Sequence, residues 1–475
     1  MAAAYHRIAE DQLRDADVKH LLPKPLGGSR EVIAKALLAR LHKEVRYTGI
    51  EFAEASIVPR TPAETLHRKY GDCKDQAALL VAMLRAAGVP TELVLLDSGP
   101  GYDIDPDLPG LGLFDHAIVH VPGSPELWAD PTDEFARFNE LPMSDRNRLA
   151  LLVNETGALV RTPDAKSSDN GFIETREFFL SEHGKARVVE TTEPWGAVET
   201  GYRDYYNAPD PKKLKESFQA YAKSAYLSEA PPKYDYPDTL DVSKPFRLHI
   251  EMTEAARGTS GETDAVVAIP VSNLTERLPE LFRESDADKS PTPRKAALIL
   301  PEPYTGEWRY RIIPPLGFKS ASLPDSGTVA MGPAMLSKEF RAEPDGTVTA
   351  ILRFDTGKRT YSAVEVEELR AAVTALKKSP MPLVRFEQVG ETLLAGGKVR
   401  EAIDEFRKLV DAHPKEALHH TQIARSLLAA GAAESARKEA RIATELEPKS
   451  AAAYTTLAWI LQHDLVGRRF SKVAI

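Results

Sequence analysis

Residues 77–84 of this 475-residue chain read Ala-Ala-Leu-Leu-Val-Ala-Met-Leu, which is apolar on nearly every face of a helix. Such a helix offers no side to water, so the fold must cover it all round. In front of it stands Gly71-Asp72-Cys73-Lys74-Asp75-Gln76, and behind it Gly88 with Pro90 just beyond. Asp72, with Asp75 three residues on, has the spacing of an N-cap and capping box. Glycine followed by proline is a stop signal. The pattern predicts a buried, rigid helix over 73–87, with Cys73 in its first turn. Free backbone N–H groups and the positive end of the helix dipole favour an anion there, and thiolate is the nucleophilic form of cysteine. A lone cysteine at a helix start is nevertheless more often a small buried apolar residue. Its meaning depends on the residues downstream.

The first ~165 residues read as α+β. Tyr5, Ile8, Leu13, Val18 and Leu21 fall at helical spacing and predict a helix over 5–21, stopped by Pro23 and Pro25. A second helix is predicted after Ser29, with Ile33, Leu37, Leu41 and Val45 as its buried stripe. Strands are predicted over 92–96, 114–121 and 126–129. His116 lies in the second of these and Asp130 just after the third. A short turn over 122–125 makes the last two strands a hairpin, which brings imidazole and carboxylate side by side. A thiol on a helix tip, facing an imidazole that a carboxylate orients, is a nucleophile–base–orienter arrangement.

These motifs resemble the transglutaminase-like branch of the papain-like superfamily. The resemblance rests on Gly71-Asp72-Cys73-Lys74-Asp75, on the Phe114-Asp115-His116-Ala117 strand and on Trp128-Ala129-Asp130-Pro131-Thr132. Val45-Arg46-Tyr47 and Pro62-Ala63-Glu64 add to it, and it spans about residues 30–140. It implies Cys73 as nucleophile, His116 as general base and acid, and Asp130 as orienter. The implied activity is acyl transfer at amide bonds of a protein or peptide through a thioester, resolved by water (peptidase or amidase) or by an amine (transamidase). The oxyanion would take the Cys73 N–H and a second donor, for which Tyr47 qualifies by position only. The alternative is a non-catalytic module that keeps the fold for binding. Bacterial proteins of this type often carry a further β-sandwich before the core, β-domains after it and sometimes helical repeats. A missing N-terminal region, with or without an export signal, is therefore one expectation.

The expected organisation is multidomain: a transglutaminase-like domain at 1–165, a β-rich sandwich-like region with a helical insertion at 166–363, and helical repeats at 383–475. In the middle region, short strands flank turns such as Glu182-His183-Gly184-Lys185 and Pro344-Asp345-Gly346, with a helix near 212–226. Helix returns at 364–378. Beyond the Ser379-Pro380-Met381-Pro382 linker, Leu393, Gly397, Ala402 and Pro414 recur as Leu427, Gly431, Ala436 and Pro448. That period of about 34 residues resembles the tetratricopeptide repeat, with Phe386, Val389, Gly390 and Leu393 on its first helix. The third unit stops before its second helix, so a C-terminal truncation is expected. The repeats imply a protein partner.

Composition narrows the class. With 61 basic against 70 acidic residues and a net charge of −9, the chain lacks the basic excess of a dedicated nucleic-acid binder. No apolar run nears the ~18 residues of a membrane span, and Met1 to Asp15 has no signal-peptide apolar core. The compartment stays open: cytoplasmic as written, exported if a leader precedes it. A single cysteine excludes an intrachain disulfide framework and a cysteine-cluster metal site. No cofactor and no metal are expected. His116 and His120 sit about 13 Å apart along a strand at ~3.3 Å per residue, too far to share an ion. Asp103 to Asp107 lacks the glycine and distal glutamate of a calcium loop. It reads as part of a solvated loop over 97–112 that could border a cleft. His419-His420 reads as repeat packing, and the run Lys212-Lys213-Leu214-Lys215 as a solvated helix face.

Overall fold

Burial of the 77–84 run organises the first unit, as its composition demands. In the computed structural model, which describes residues 1–14, 16–24, 27–49, 56–99, 101, 103–108, 110–283 and 294–470, every residue from Cys73 to Leu84 is buried on the helix Cys73–Ala86. The helix Arg30–Glu44 covers one side with Ala34, Leu37, Leu38 and Leu41. Its N-cap is Ser29, which accepts from Val32 N at 3.3 Å. A curled antiparallel sheet covers the other side, ordered Leu127–Ala129, His116–Val121, Glu92–Leu96, Leu149–Val153, Leu159–Arg161. Full burial of a leucine or valine contributes about 1.5–3 kcal/mol, so this shared core holds helix tip and sheet in one rigid frame.

Two expectations change here. The N-terminal helix runs only over Ala2–Leu13, and a 3₁₀ turn, Lys19–Leu21, follows. Turn hydrogen bonds from Ala16 N to Leu13 O and from Val18 N to Ala16 O redirect the chain. Val18 and Leu21 still enter the core, whereas Ile8 of the expected stripe is exposed, so at those two positions apolar spacing marked burial and not helical continuity. Of the expected proline stop, Pro25 lies outside the described residues. The strand Leu149–Val153 was not anticipated.

The middle region is built on one large curled sheet, with a separate two-stranded pair of Leu298–Ile299 and Thr360–Tyr361. Among the described residues its path runs Phe318–Ser320, Leu383–Gln388, Asp264–Ala268, Leu248–Ser260, Gly184–Trp195, Gly171–Phe179, Thr305–Ile313, Val348–Asp355, Ala334–Ala342, Gly327–Met331, and Lys233–Asp235 pairs beside Leu248–Ser260. The expected 176–190 hairpin is the Gly171–Phe179 and Gly184–Trp195 pair. A β-rich sandwich-like region with a helical insertion was expected; strands and the helix Pro211–Tyr226 are observed, and the strands follow a continuous hydrogen-bonded path. Its decisive joint is the parallel pairing of Gly171–Phe179 with Thr305–Ile313, a long-range contact that no local hairpin pattern reveals. The helices Ala197–Tyr206, not anticipated, and Pro211–Tyr226 pack against this sheet.

The expectation that Phe386 opens a repeat helix is overturned. Leu383–Gln388 is a strand paired with Asp264–Ala268 and Phe318–Ser320. Val384, Phe386 and Gln388 point inward while Arg385 and Glu387 are exposed, a period-two pattern that suits a strand. Helix begins at Val389–Ala395 and continues as Val399–Ala412, Ala417–Ala429, Ala433–Leu446 and Ala451–Leu461, each packed on the one before. Gly390 is required where the first two cross, because a Cβ there would lie 2.6 Å from the Phe406 ring. No described helix is long and apolar enough to cross a membrane.

Candidate active site

The helix tip is built by its own sequence. Asp72 Oδ1 accepts from Asp75 N at 3.2 Å and Asp75 Oδ2 accepts from Asp72 N at 3.4 Å, closing the capping box. Both carboxylates are buried and compensated. Lys74 Nζ donates to Asp72 Oδ2 at 2.7 Å, and Arg60 binds Asp75 through Nη1 at 2.6 Å and backbone N at 2.8 Å. Burial outweighs these partners at Asp72 and raises its pKa. Gly71 lets the preceding chain approach closely, since a Cβ there would sit 2.7 Å from Asp75 Cβ. The result is a fixed tip with Cys73 in its first turn, 6% exposed. Its backbone N–H makes no hydrogen bond among the described residues.

The His116–Val121 strand places an imidazole against that tip. His116 Nε2 lies 3.0 Å from Asp130 Oδ2, across the hairpin with Leu127–Ala129. Asp130 Oδ1 accepts from Thr132 N at 2.8 Å and Thr132 Oγ1 at 2.7 Å, which holds the carboxylate plane. Burial pushes the His116 pKa down. Its hydrogen bonds to Asp130 and Cys73, and the charges of Asp130 and Asp145, outweigh burial and hold the pKa well above 6.5. At Asp130, burial acts upward, but the bonds to His116 and Thr132 leave the carboxyl below its ordinary value. Both effects favour an imidazolium whose Nε2–H donates to Asp130, with Nδ1 left for the thiol. Cys73, His116 and Asp130 are thus brought together.

Asp145 is a site neighbour that sequence reasoning missed. It closes the 3₁₀ turn Met143–Asp145 and is fully buried. Oδ1 accepts from Ser98 Oγ at 2.8 Å and Ser144 Oγ at 3.0 Å. Oδ2 lies 3.8 Å from His116 Nε2 and has no hydrogen-bond partner among the described residues. Burial and the nearby Asp130 charge raise its pKa to about 6. No local pattern marks this residue; a buried, half-satisfied carboxylate becomes visible only after folding. One atom each of His116, Asp130 and Asp145 lie within 4.8 Å of one another, a spacing compatible with a divalent ion. His116 Nε2 already serves Asp130, so an ion would have to replace that proton.

A cavity of about 240 Å³ opens over the thiol, walled by Ile57, Leu95, Leu111, Phe114 and Tyr5. Tyr5 is anchored by its hydroxyl, which donates to Ile57 O at 2.9 Å. Leu111 and Gly112 come from the 97–112 loop, which therefore borders the cleft; residues 100, 102 and 109 of it lie outside the described set. Asp103 ties that loop down, accepting from Leu149 N at 3.0 Å and Arg161 Nη1 at 3.0 Å. Tyr47 lines a different cavity with His42, Gln76 and Asp133. In the orientation that satisfies both ends of its amide, Gln76 donates to Pro131 O at 2.6 Å and accepts from Tyr47 N at 3.1 Å. His120 binds Glu92 Oε2 at 3.2 Å and lies against Trp128. His420 binds Glu439 at 2.7 Å within the helical segment, whereas His419 reaches across to Glu182 at 3.0 Å. The Lys212, Lys213 and Lys215 side chains are exposed.

Residues 28–121 match the family model described as the Transglutaminase-like superfamily. Comparison with curated proteins gives no match. Among solved structures, a protein described as a candidate protease from Parabacteroides distasonis aligns with a TM-score of 0.49 at 12% identity, covering 81% of this chain and 58% of that one. The chain therefore spans less than two thirds of that protein's length.

Proposed function

We propose that the transglutaminase-like superfamily domain at residues 28–121, extended by Asp130, makes this chain a cysteine-dependent acyl-transfer enzyme acting on amide bonds of proteins or peptides. The observation that carries the reading is the relay from Thr132 through Asp130 and His116 to Cys73, opening on a cavity. The Cys73 Sγ–H proton passes to His116 Nδ1, and the thiolate attacks the substrate carbonyl carbon. The developing oxyanion takes the free Cys73 N–H. His116 then protonates the departing nitrogen as the C–N bond breaks, leaving a thioester and an amine or ammonia. Water or a second amine, deprotonated by His116, attacks the thioester and returns the thiol. The raised His116 pKa, set by Asp130 and the other charges around it, supports an imidazole that holds the proton once it has taken it. In this reading the 1–165, 166–363 and 383–475 segments act as a catalytic domain, a β-scaffold and tetratricopeptide-like repeats that hold a protein partner. The helix-on-helix packing from Val389 to Leu461 supports the last role.

Because Cys73 is the only thiol, intact-mass analysis after iodoacetamide treatment reports on this site alone. The expected result at pH 6 is rapid single labelling in the wild type and at least about ten-fold slower labelling in His116→Ala. Equal rates would remove the activated pair and with it the enzymatic reading. Ammonia release from a glutamine peptide, with and without added amine, then separates hydrolysis from transamidation.

A further inference from the structure

Away from Cys73, the central sheet carries ionisable side chains that no part of the proposed chemistry uses. Glu174, Arg176 and Glu190 are all more than nine-tenths buried on adjacent strands. Arg176 bonds Glu174 Oε1 and lies 3.3 Å from Glu190 Oε2. Glu190 is further satisfied by Tyr221, whose hydroxyl donates at 2.8 Å, and by the Tyr226 hydroxyl. Glu174 is not: its Oε2 accepts no hydrogen bond among the described residues. Two carboxylates thus share one guanidinium, leaving one negative charge in excess.

That excess charge faces a cavity of about 270 Å³, near the lower end of the ~300–1,000 Å³ of small-molecule sites. Tyr202, Tyr205 and Tyr206 from the helix Ala197–Tyr206, and Phe218 and Tyr221 from Pro211–Tyr226, form its aromatic wall. Tyr206 stacks on Phe218 at 5.9 Å and meets Tyr205 edge-on at 4.9 Å, so rings of different tilt surround the space. Among the described residues, no lysine, arginine or histidine lines it. Nearby Arg277 pairs with Glu302 at 3.3 Å. Aromatic faces attract cations, and large, weakly hydrated organic ammonium ions most of all. The Glu174 carboxylate on the floor, engaged by Arg176 through Oε1 only, supplies the counter-charge. Without such a cation, burial holds the Glu174 pKa up at about 7, so the site is poised between an uncompensated anion and a neutral acid.

We propose that this aromatic cavity, floored by Glu174, is a binding site for an alkylammonium headgroup, either a free amine or a lysine-type side chain of a partner. The site is independent of the Cys73 chemistry, so it stands or falls apart from the enzymatic reading. The test is a calorimetric titration of the full chain with tetramethylammonium chloride, against sodium chloride and tert-butyl alcohol as controls for ionic strength and shape. The expected result is saturable binding of tetramethylammonium alone, weakened about ten-fold or more by Glu174→Gln and measurably by Tyr205→Ala. Tyr205 is 58% exposed, so its removal leaves the fold intact and guards against a folding artefact in the first variant. Tighter binding of a lysine peptide than of butylammonium would assign the side-chain source, and the reverse order the free amine. No saturation by about 50 mM tetramethylammonium, equal binding of tert-butyl alcohol, or equal affinity in Glu174→Gln would overturn the proposal.

Discussion

At the scale of single residues, the candidate site is a contest between burial and pairing. His116 is desolvated, yet its partners keep the proton on it. Replacing Asp130 with Asn removes the charge that orients the ring. Cys73 alkylation at pH 7 is then expected to fall by about ten-fold, toward the rate of an ordinary thiol of pKa about 8.5, with the near-ultraviolet circular dichroism unchanged. Asp145 behaves oppositely, because its carboxyl is held at about 6 against an ordinary 3.8. The folded state keeps this proton more tightly than the unfolded state. Stability therefore declines as pH rises through that window, by about 3 kcal/mol for this group. Asp145→Asn abolishes the decline. In urea titrations its stability relative to wild type should be higher at pH 7 than at pH 4, and a pH-independent difference would count against the assignment. Cys73, His116 and Asp130 were legible because each sits in a local motif with its own cap, strand or turn. Asp145 was not, since its environment is assembled from Ser98, Ser144 and the His116 strand.

At the scale of elements, local pattern and local structure agree where one face or one terminus decides. The capping box and the all-round apolar run specify the Cys73 helix without reference to anything distant. Gly71→Ala probes how tightly its tip is set. The added methyl meets Asp75 Cβ at 2.7 Å and Thr65 Cγ2 at 3.1 Å, neither at the end of a flexible chain. A cost of about 1–3 kcal/mol is expected, together with slower Cys73 alkylation, measured on the folded fraction. Leu383–Gln388 is the instructive failure. A repeat signature suggested helix, while period-two burial between two strand partners produced strand. Phe386 is fully buried between sheet partners, so Phe386→Ala should cost about 3–5 kcal/mol in chemical denaturation. A surface-helix residue would cost far less.

At the scale of the whole molecule, buried ion pairs and backbone contacts tie the segments together. Arg137, which lies beyond the Asp130 loop, donates to Glu199 Oε2 at 2.6 Å and Oε1 at 2.8 Å and to Val242 O at 2.9 Å. Glu199 also holds Arg203 at 2.7 Å. This joins the first sheet's surroundings to the Ala197–Tyr206 helix. Arg359 makes a second tie, reaching Arg146 O at 3.0 Å and Met143 O at 3.1 Å beside Asp145. Arg137→Ala leaves Glu199 half-compensated. Breaking a buried pair costs about 3–5 kcal/mol, and the part-exposed Arg137 brings the expectation down to about 1–3 kcal/mol. The unfolding curve should become biphasic as the first unit loosens from the sheet. A single unshifted transition would show that the tie is not what couples them.

What the sequence determined by itself were the features carried by neighbours along the chain: the capped, wholly apolar helix, the thiol in its first turn, and the hairpin that sets His116 beside Asp130. These arise from short-range hydrogen bonds and from which faces must avoid water. Tertiary structure alone decided the rest. It brought Asp145 to the imidazole, joined distant strands through the parallel pairing of Gly171–Phe179 with Thr305–Ile313, and drew Leu383–Gln388 into the sheet. Each of those outcomes depends on contacts between residues far apart in sequence. Their free energy comes from burial and pairing that exist only once the partners have met.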